Sequence, residues 1–371
     1  MKNSFFFLQL FCLVLLISCA NSAKQEEYST ENQIGLDYAK GFKIYVFENC
    51  KKLEVFETSS GQKSATYYLV EDSNIETPSD GVKLQIPLKK IAVTSATHIG
   101  FIDALGELNS VAGVCSPELI YNQKVRENHE LVNLGDAFSL IYEKVFLLYP
   151  EALTLTLYGA EESKHQRIKQ SGIPLLYINE WKEQHPLARA EWIKFFGAIY
   201  NKSAIADSLF EQTKHRYNAI KQLVSKVSER PKVMIGGNFK GTWYVPGGES
   251  FMGILLKDAV CSYVYENDST RGSLPLSVES VLYHFSNADV WLGAPSETMD
   301  FLLDIDERNE LFSSVKKGNV YNFFARKTES GGNDFWESGV VYPDKILSDF
   351  AKIIHPNISK IDTLYFSGKL K

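Results

Sequence analysis

The chain has 371 residues, of which 44% are hydrophobic and 13% aromatic, and this composition excludes a disordered or fibrous protein. Because a single core rarely grows past about 250–300 residues, the length predicts two lobes or domains. The 39 Lys and Arg residues are outnumbered by 45 Asp and Glu residues, and no basic run occurs. The sequence therefore argues against a protein that works by coating nucleic acid.

Residues 1–18 have the pattern of a secretory signal, because Lys2 precedes an apolar run over residues 5–17. That run is shorter than the about 20 residues that a membrane-spanning helix needs. The following Leu16-Ile17-Ser18-Cys19 is similar to a bacterial lipobox, in which the cysteine is acylated; otherwise Cys19 is incidental to an ordinary cleavage site. Residues 19–34 predict a lipidated cysteine and a polar tether, which would place the protein on the periplasmic side of the cell envelope, anchored to a membrane.

Three further cysteines, Cys50, Cys115 and Cys261, are far apart and form no CxxC motif. Neither a zinc site nor a redox motif is supported. We expect buried small hydrophobic side chains, with one optional disulfide.

Residues 35–88 contain short β-prone runs separated by polar turns, and they predict a small antiparallel appendage. From residue 89 to 185, short apolar strands alternate with amphipathic helical stretches, as in parallel α/β layering. The predicted strands cover residues 90–95, 111–114, 131–134, 153–157 and 173–178, and the predicted helices cover residues 98–107, 139–148 and 160–170.

Residues 186–230 are helical in pattern, with one long helix predicted over residues 203–228. The α/β pattern restarts in residues 231–358, with strands at 232–237 and 289–293 and helices at 249–260 and 342–355. Residues 359–371 are polar and predict a tail. The predicted fold is therefore α/β: two lobes with mainly parallel sheets, joined by a single long helix, with a ligand cleft between the lobes.

Four stretches together resemble the substrate-binding proteins of bacterial ABC uptake transporters for iron complexes and vitamin B12. They are Lys90-Ile91-Ala92-Val93-Thr94-Ser95-Ala96-Thr97-His98, Asn133-Leu134-Gly135-Asp136 with Tyr149-Pro150-Glu151-Ala152-Leu153, Ser171-Gly172-Ile173-Pro174 with His185-Pro186-Leu187-Ala188-Arg189, and Gly241-Thr242-Trp243-Tyr244-Val245-Pro246-Gly247-Gly248. The resemblance covers residues 90–358 and leaves the appendage without an assigned role. It implies two α/β lobes, a rigid interlobe helix, and an ABC permease and its ATPase as partners.

Ligands bind at the carboxyl ends of strands in open α/β lobes, so the residues that follow the predicted strands are the candidate ligand contacts. They are Ser95, Thr97, His98, Asp136, Phe138, Trp181, Asn238, Trp243, Tyr244, Arg326 and Trp336. Aromatic loop residues suit a large, flat ligand because they bury area at little entropic cost.

Several of these residues have a purely structural alternative. His98 could cap the helix that it precedes, and Arg326 could pair with a nearby acid instead of neutralising an anionic ligand. Trp243 and Tyr244 could pack between the lobes instead of lining the cleft. Trp192 and Trp291 lie in helix and strand patterns, and we expect them in the core.

Glu143 and Glu279 each open a predicted helix in a different lobe. The resemblance implies that such a pair docks onto arginines of the membrane permease. A carboxylate is also favourable near a helix N-terminus for reasons of the helix dipole alone, and this is the alternative.

The leading expectation is a lipid-anchored receptor that captures a ferric siderophore, with cobalamin or another corrinoid second and haem third. The seven His residues are scattered, so no bare-metal site and no cofactor are expected. An enzyme is the competing class, but the sequence contains no GxSxG, GxxxxGK[ST] or HExxH motif and no strand-linked GxGxxG.

Overall fold

The computed structural model describes residues 32–156, 163–358 and 363–371. The predicted signal, Cys19 and most of the predicted tether lie outside these residues, as do parts of the predicted helix at 160–170 and of the predicted tail.

The N-terminal segment forms one five-stranded sheet with its strands in sequential order. The strands are β1 (Asn32–Gln33), β2 (Phe42–Val46), β3 (Lys51–Phe56), β4 (Lys63–Val70) and β5 (Val82–Gln85). All neighbours are antiparallel except β4 and β5, which pair in parallel, so the expectation of a wholly antiparallel appendage is wrong on this point. The sheet also begins within the predicted tether, because Asn32 and Gln33 pair with β2.

The first α/β lobe has a parallel sheet in the order β12-β11-β6-β7-β8. Its strands are β6 (Ile91–Val93), β7 (Val111–Val114), β8 (Val132–Asn133), β11 (Ala152–Leu155) and β12 (Leu175–Tyr177), and a small hairpin pairs β9 (Gly135–Asp136) with β10 (Ser139–Leu140). Its helices are α1 (Ala96–Ala104), α2 (Gln123–Arg126), α3 (Tyr142–Leu148) and α4 (Ser163–Gln170). Strands β6, β11 and β12 are buried at every position, as expected of parallel strands covered on both faces.

Three helices connect the lobes: α5 (Pro186–Glu191), α6 (Ile193–Ile199) and α7 (Ser203–Val224). Helix α7 has 22 residues, about 33 Å at 1.5 Å per residue, and it ends four residues before the predicted boundary. Its buried residues Phe210, Tyr217 and Val224 recur every seventh position, and this face packs on α6 and on the last helix of the chain.

The second lobe contains a four-stranded sheet and a three-stranded antiparallel sheet. The first is β13 (Val233–Ile235), β17 (Val290–Leu292), β18 (Val320–Asn322) and β19 (Gly368–Lys369), and the second is β14 (Gly237–Phe239), β15 (Thr242–Pro246) and β16 (Ser273–Leu276). The helices are α8 (Phe251–Asp258), α9 (Val278–Phe285), α10 (Met299–Ile305), α11 (Ser313–Lys316), α12 (Asp334–Glu337) and α13 (Pro343–Ile354). The fold is therefore two α/β lobes with mainly parallel sheets, as predicted.

The end of the chain is part of this lobe, and the expectation of a polar tail is wrong. Strand β19 pairs antiparallel with β18, and Phe366 is fully buried. The buried carboxylate of Asp349 accepts hydrogen bonds from the backbone N–H groups of Tyr365, Phe366 and Ser367, each at 2.7 Å. These bonds hold the segment against α13.

One apolar core runs through all three parts of the molecule, from Phe42 and Leu53 of the N-terminal sheet to the second lobe. Trp192 and Trp291 are fully buried, which confirms the expectation for both. The three cysteines of the described residues are buried free thiols.

Candidate ligand-binding site

A cavity of about 880 Å³ lies where the N-terminal sheet and both lobes meet. Its lining comprises Tyr38, Lys40, Glu57, Thr58 and Ser59 from the N-terminal sheet, Trp181, Lys182, Glu183, Gln184, His185, Ala188 and Arg189 from the first lobe and α5, and Pro246, Ser250, Phe251, Met252, Ile254, Arg271, Gly272, Ser273 and Trp336 from the second lobe. The size suits a ligand larger than a bare metal ion.

The cavity walls are formed where strands end and helices begin. Trp181 lies in a single 3₁₀ turn just after β12, at the carboxyl end of the parallel sheet, where α/β lobes bind ligands. On the opposite wall, Ser250 caps α8, and its Oγ accepts a hydrogen bond from the Gly253 N–H at 3.1 Å. Only glycine fits at position 253, because a Cβ there would lie 2.2 Å from the Gly247 carbonyl oxygen.

Arg189 ties the two walls together. Its Nε donates to the Glu183 carbonyl at 2.9 Å, its Nη2 donates to the Trp181 carbonyl at 2.7 Å, and its guanidinium lies 4.3 Å from the ring centre of Phe251. Removal from water lowers the pKa of Arg189 to about 10, against the opposing effect of two nearby glutamates, so the side chain stays charged at neutral pH.

Some of the Lys and Arg side chains that line the cavity form ion pairs with acidic side chains, and others do not. Lys182 is held by Glu57 at 2.5 Å, and the exposed Arg271 is 3.5 Å from Glu249. Within the parts of the chain that the structure describes, Lys40 and Arg189 have no ion-pair partner. The cavity therefore offers positive charge to an anionic ligand.

Aromatic rings supply much of the remaining surface. Trp181 is 38% exposed and Trp336 is 52% exposed, and both of these candidate ligand contacts line the cavity. Phe251 and Tyr38 add further aromatic area on two other walls. Such rings can stack on a flat or aromatic ligand with little loss of rotamer freedom.

His185 faces the same cavity but is poorly placed to bind iron. Its Nδ1 accepts a hydrogen bond from the Leu187 N–H at 3.1 Å, and its ring stacks on Tyr38 at 4.9 Å between centres. Burial lowers the pKa of His185, which favours the neutral ring. The Nδ1 lone pair is already engaged by the Leu187 N–H.

The candidate residues after β6 lie in a buried polar cluster of the first lobe, outside this cavity. Ser95 caps α1, accepting from the Thr97 N–H at 3.3 Å, and the Thr97 hydroxyl donates to Glu180 at 2.6 Å. His98 is fully buried, with Nδ1 2.9 Å from the Thr154 hydroxyl and Nε2 3.8 Å from the Glu180 carboxylate. The expectation that His98 contacts ligand is wrong for this arrangement, and so is the alternative of a helix cap.

Burial raises the pKa of Glu180, but the interaction with the nearby His98 ring and a hydrogen bond from Thr97 outweigh that effect, and the net pKa is lowered. Glu180 is therefore an anion beneath Trp181. It fixes the base of the strand-end loops and does not itself reach the cavity lining.

The expectation that Trp243 contacts ligand is also wrong, because Trp243 is 1% exposed and packs against Trp291 and Phe312. In β15, successive side chains point to opposite faces, so Trp243 enters the core while Tyr244 is 47% exposed. Tyr244 remains on the surface outside the described cavity.

Three further predicted residues also lie outside the cavity lining. Asn238 closes the turn between β14 and β15 by accepting from the Gly241 N–H at 2.9 Å. Asp136 accepts from the N–H of Phe138 at 2.8 Å in the β9–β10 hairpin, and the Phe138 ring is 74% exposed.

Arg326 pairs with a nearby acid, which was the alternative to its contact with ligand. Its Nε donates to Asp334 at 2.5 Å, and its guanidinium lies over the rings of Tyr121 and Tyr365 at 5.0 and 4.6 Å. It is therefore occupied at the contact between the two lobes and is not free for an anionic ligand.

The N-terminal sheet contributes cavity residues that are not among the candidates predicted from the sequence, namely Tyr38, Lys40 and residues 57–59. No short-range motif marks them, since they reach the cavity only through contacts with residues more than 120 positions away. Arg189 ends the stretch His185-Pro186-Leu187-Ala188-Arg189, one of those that carry the family resemblance, but the sequence assigned it no role.

The described residues contain neither a membrane-spanning helix nor a cluster of metal-binding side chains. None of the helices in residues 32–156, 163–358 and 363–371 is long and apolar enough to cross a membrane. Over the same ranges, no group of three or more His, Cys, Asp or Glu side chains could hold a metal ion.

Comparisons with known sequences identify relatives over most of the chain. An uncharacterized lipoprotein of Methanocaldococcus jannaschii is 27% identical over 363 residues, which cover 88% of this chain and 83% of that protein. A second uncharacterized protein of the same organism is 20% identical over 309 residues, covering 79% of this chain and 89% of its own length.

Solved structures of solute-binding proteins share the fold. A periplasmic heme-binding protein of Pseudomonas aeruginosa matches with a TM-score of 0.59 and 15% identity, covering 76% of this chain and 98% of its own. A heme-binding protein of Roseiflexus gives 0.58 and 18%, covering 73% and 100%, and a possible iron-binding protein of Staphylococcus epidermidis gives 0.55 and 19%, covering 72% and 99%. At these identities the likeness shows a common fold.

The decisive match is to a family model described as periplasmic binding protein, which covers residues 91–325, from β6 to just past β18. Since this match spans well over half of the chain and both lobes, the protein belongs to the periplasmic binding protein family.

Proposed function

We propose that this protein is the solute-binding component of an ABC importer and that it captures an anionic iron complex, a ferric siderophore, in the cavity between its lobes. The observation that carries the proposal is a cavity that combines Lys40 and Arg189, which have no ion-pair partner among the described residues, with the rings of Trp181, Phe251 and Trp336. Solved structures with the same fold are named as heme-binding or possible iron-binding proteins, and these names support an iron complex as the class of ligand.

The cavity favours a siderophore over the other ligands of this class. A siderophore supplies all iron ligands itself, so the protein has to provide only shape, aromatic surface and charge. Haem comes second, because the histidine of the cavity lining, His185, has its Nδ1 engaged by the Leu187 N–H and its ring stacked on Tyr38. Cobalamin comes third, because a corrinoid without net negative charge gains little from unpaired cations.

The lipobox-like Leu16-Ile17-Ser18-Cys19 supports acylation of Cys19 and anchoring to a membrane on the periplasmic side of the envelope. A relative named as a lipoprotein, similar over 88% of this chain, favours the same conclusion.

Glu143 and Glu279 are the proposed contacts with the permease. Both are exposed in the first turn of a helix, α3 and α9 respectively, and exposed apolar side chains adjoin each, namely Leu147 and Tyr283. Glu279 lies 3.5 Å from Arg308, an exposed pair that a permease arginine could replace at little cost. Substituting Lys at both positions should abolish binding-protein-dependent ATP hydrolysis by the reconstituted transporter and leave ligand affinity unchanged.

The ligand proposal is tested by quenching of tryptophan fluorescence in the soluble form that begins after Cys19. The panel consists of ferric catecholate, hydroxamate and citrate complexes, haemin, cobalamin and cobinamide. We expect saturable quenching by an anionic iron complex, weakened by Trp336→Ala and unchanged by Tyr283→Ala, which removes an exposed ring outside the cavity. Binding of cobinamide alone, or of no iron complex, would overturn the proposal.

A further inference from the structure

Two buried glutamates clamp the connection between β1 and β2. The carboxylate of Glu191 accepts hydrogen bonds from the backbone N–H groups of residues 37, 38 and 39 at 2.8–2.9 Å. Oε1 of Glu183 accepts from the N–H groups of residues 40 and 41 at 2.8 and 2.7 Å. Both glutamates are at most 3% exposed, so five consecutive N–H groups are bound to two buried carboxyl groups.

The C-terminal end of the segment held by Glu183 and Glu191 is closely packed. A Cβ at position 41 would lie 2.8 Å from the Trp192 ring and 3.1 Å from the Glu183 carboxylate, so only glycine allows this approach. The neighbouring Phe42 ring then packs on Trp192 at 4.8 Å between centres.

The same clamp determines where Tyr38 and Lys40 lie. The Tyr38 ring stacks on His185 at 4.9 Å, and both Tyr38 and Lys40 line the cavity. Residues 57–59 form the next part of this wall, with Glu57 paired to Lys182 and the Thr58 hydroxyl donating to the Lys182 carbonyl at 3.3 Å.

The N-terminal sheet is also joined to the first lobe behind the cavity. The Tyr67 hydroxyl donates to the Leu175 carbonyl at 2.7 Å and accepts from the Tyr177 N–H at 3.0 Å, so it binds β12 at the edge of the parallel sheet. The wall is therefore rigidly placed relative to Trp181.

We propose that the N-terminal sheet is a specificity-determining wall of the ligand cavity, in which Lys40 binds an anionic oxygen of the captured complex. This inference rests on the proposed function and deepens it. The residues concerned lie before position 91, outside the part of the chain that matches the family. The ligand that this wall selects is an iron chelate with carboxylate or catecholate oxygens on its periphery.

Charge on this wall supports the choice of Lys40. Lys182 is neutralised by Glu57, whereas the exposed ammonium of Lys40 has no ion-pair partner among the described residues. A hydrogen bond from an ammonium to an anionic oxygen is among the stronger contacts that a binding site can add.

The test compares Lys40→Gln, Lys40→Arg and Lys63→Gln in the soluble form, by the same fluorescence titration. Lys63 is a half-exposed lysine of the same sheet, paired with Glu54 and outside the cavity lining. Probes are a triscatecholate iron complex, ferric citrate and an uncharged ferric hydroxamate. We expect Lys40→Gln to weaken binding of the anionic complex about tenfold, Lys40→Arg to retain most of the affinity, and Lys63→Gln to match wild type.

The outcomes separate this inference from the proposed function. If wild type binds an iron complex and Lys40→Gln leaves its affinity unchanged, the wall is not a specificity determinant. If Lys63→Gln weakens binding as much, the effect is general electrostatics and the inference is also overturned. If no iron complex binds to wild type, the proposed function fails, and the inference fails with it.

Discussion

Glu337 joins the two lobes through its side chain. Its carboxylate accepts hydrogen bonds from the backbone N–H groups of Tyr121 at 2.6 Å and Asn122 at 2.9 Å. Burial raises the pKa of Glu337 to about 7, the charges of Asp334 and Asp103 add to the rise, and the two N–H groups oppose it. The contact between the lobes therefore contains a carboxyl group that titrates near neutral pH.

This residue predicts a pH dependence of stability. The carboxyl group of Glu337 ionises near pH 4.5 in the unfolded state and near pH 7 in the folded state, so the folded state stays protonated to a higher pH. Between these values the free energy of unfolding should fall as pH rises, by at most about 3 kcal/mol, and it should be flat above and below.

Urea denaturation from pH 4 to 8 checks this expectation on wild type and Glu337→Gln. The variant cannot titrate at this position, so its stability should fall less over that window. Glu329→Gln, an exposed change on the preceding loop, should keep the wild-type slope. Equal slopes for wild type and Glu337→Gln would contradict the assignment.

At the scale of elements, the N-terminal sheet is held to the first lobe by side chains that belong to helices. Glu191 ends α5, and besides its three backbone donors it is 3.1 Å from Lys194 of α6. Phe42, Leu53 and Tyr67 of the sheet are buried in the same core as the first lobe. The sheet is therefore a layer of the lobe and not an independent appendage.

We expect Glu191→Ala to destabilise the protein by about 3 kcal/mol or more, because three N–H groups and a lysine lose a buried acceptor. Hydrogen exchange should show faster exchange at the amides of residues 37–39. Glu211→Ala, which removes an exposed pair with Lys214, is the matched control and should cost less than about 1 kcal/mol. Unchanged exchange in Glu191→Ala would mean that the clamp does not hold this segment.

At the scale of the molecule, the lobes touch at several places besides the connecting helices. A Cβ at Gly100 of α1 would lie 2.2 Å from the Glu337 carbonyl oxygen, so α1 and the end of α12 are in direct backbone contact. The Ser330 hydroxyl donates to the Glu118 carbonyl at 2.6 Å, and Arg189 packs on Phe251. Together with α7, these contacts resist a large hinge motion.

Ligand binding should therefore change the overall shape little. Small-angle X-ray scattering of the soluble form, with and without saturating ligand, should give the same radius of gyration within error. A decrease of several ångströms on binding would contradict a rigid connection. The control is the Trp336→Ala variant at the same ligand concentration, because it lacks a ring of the cavity lining and should bind ligand more weakly.

Much of the architecture follows from local patterns. Alternation of short apolar strands with amphipathic helices predicts both lobes, and apolar residues at three- and four-residue spacing, such as Tyr217, Ile220 and Val224, predict the long helix. The exposure of Trp181 and Trp336 follows as well, because neither lies in a periodic apolar run, although Trp336 belongs to the short helix α12 and not to the predicted loop. These features depend on residues close together in the chain.

The rest depends on contacts across the chain. Whether Trp243 or Tyr244 faces the core is decided by the register of β15 against β14 and β16, and a shift of one residue would exchange them. Arg326 is occupied by Asp334 and two rings only because the lobes meet there. Residues 363–371 join the four-stranded sheet of the second lobe through β19 and are held to α13 by Asp349, and no polar pattern indicates either contact.

The amino-acid sequence by itself determined the two α/β lobes, the helical connection and two of the cavity tryptophans, since periodicity and turn residues act over a few positions. Only the tertiary structure decided that the N-terminal sheet lines the cavity. That placement rests on Glu183 and Glu191, which bind backbone N–H groups about 150 residues away. A backbone donor has no side-chain signature, so such a contact becomes visible only when the chain is folded.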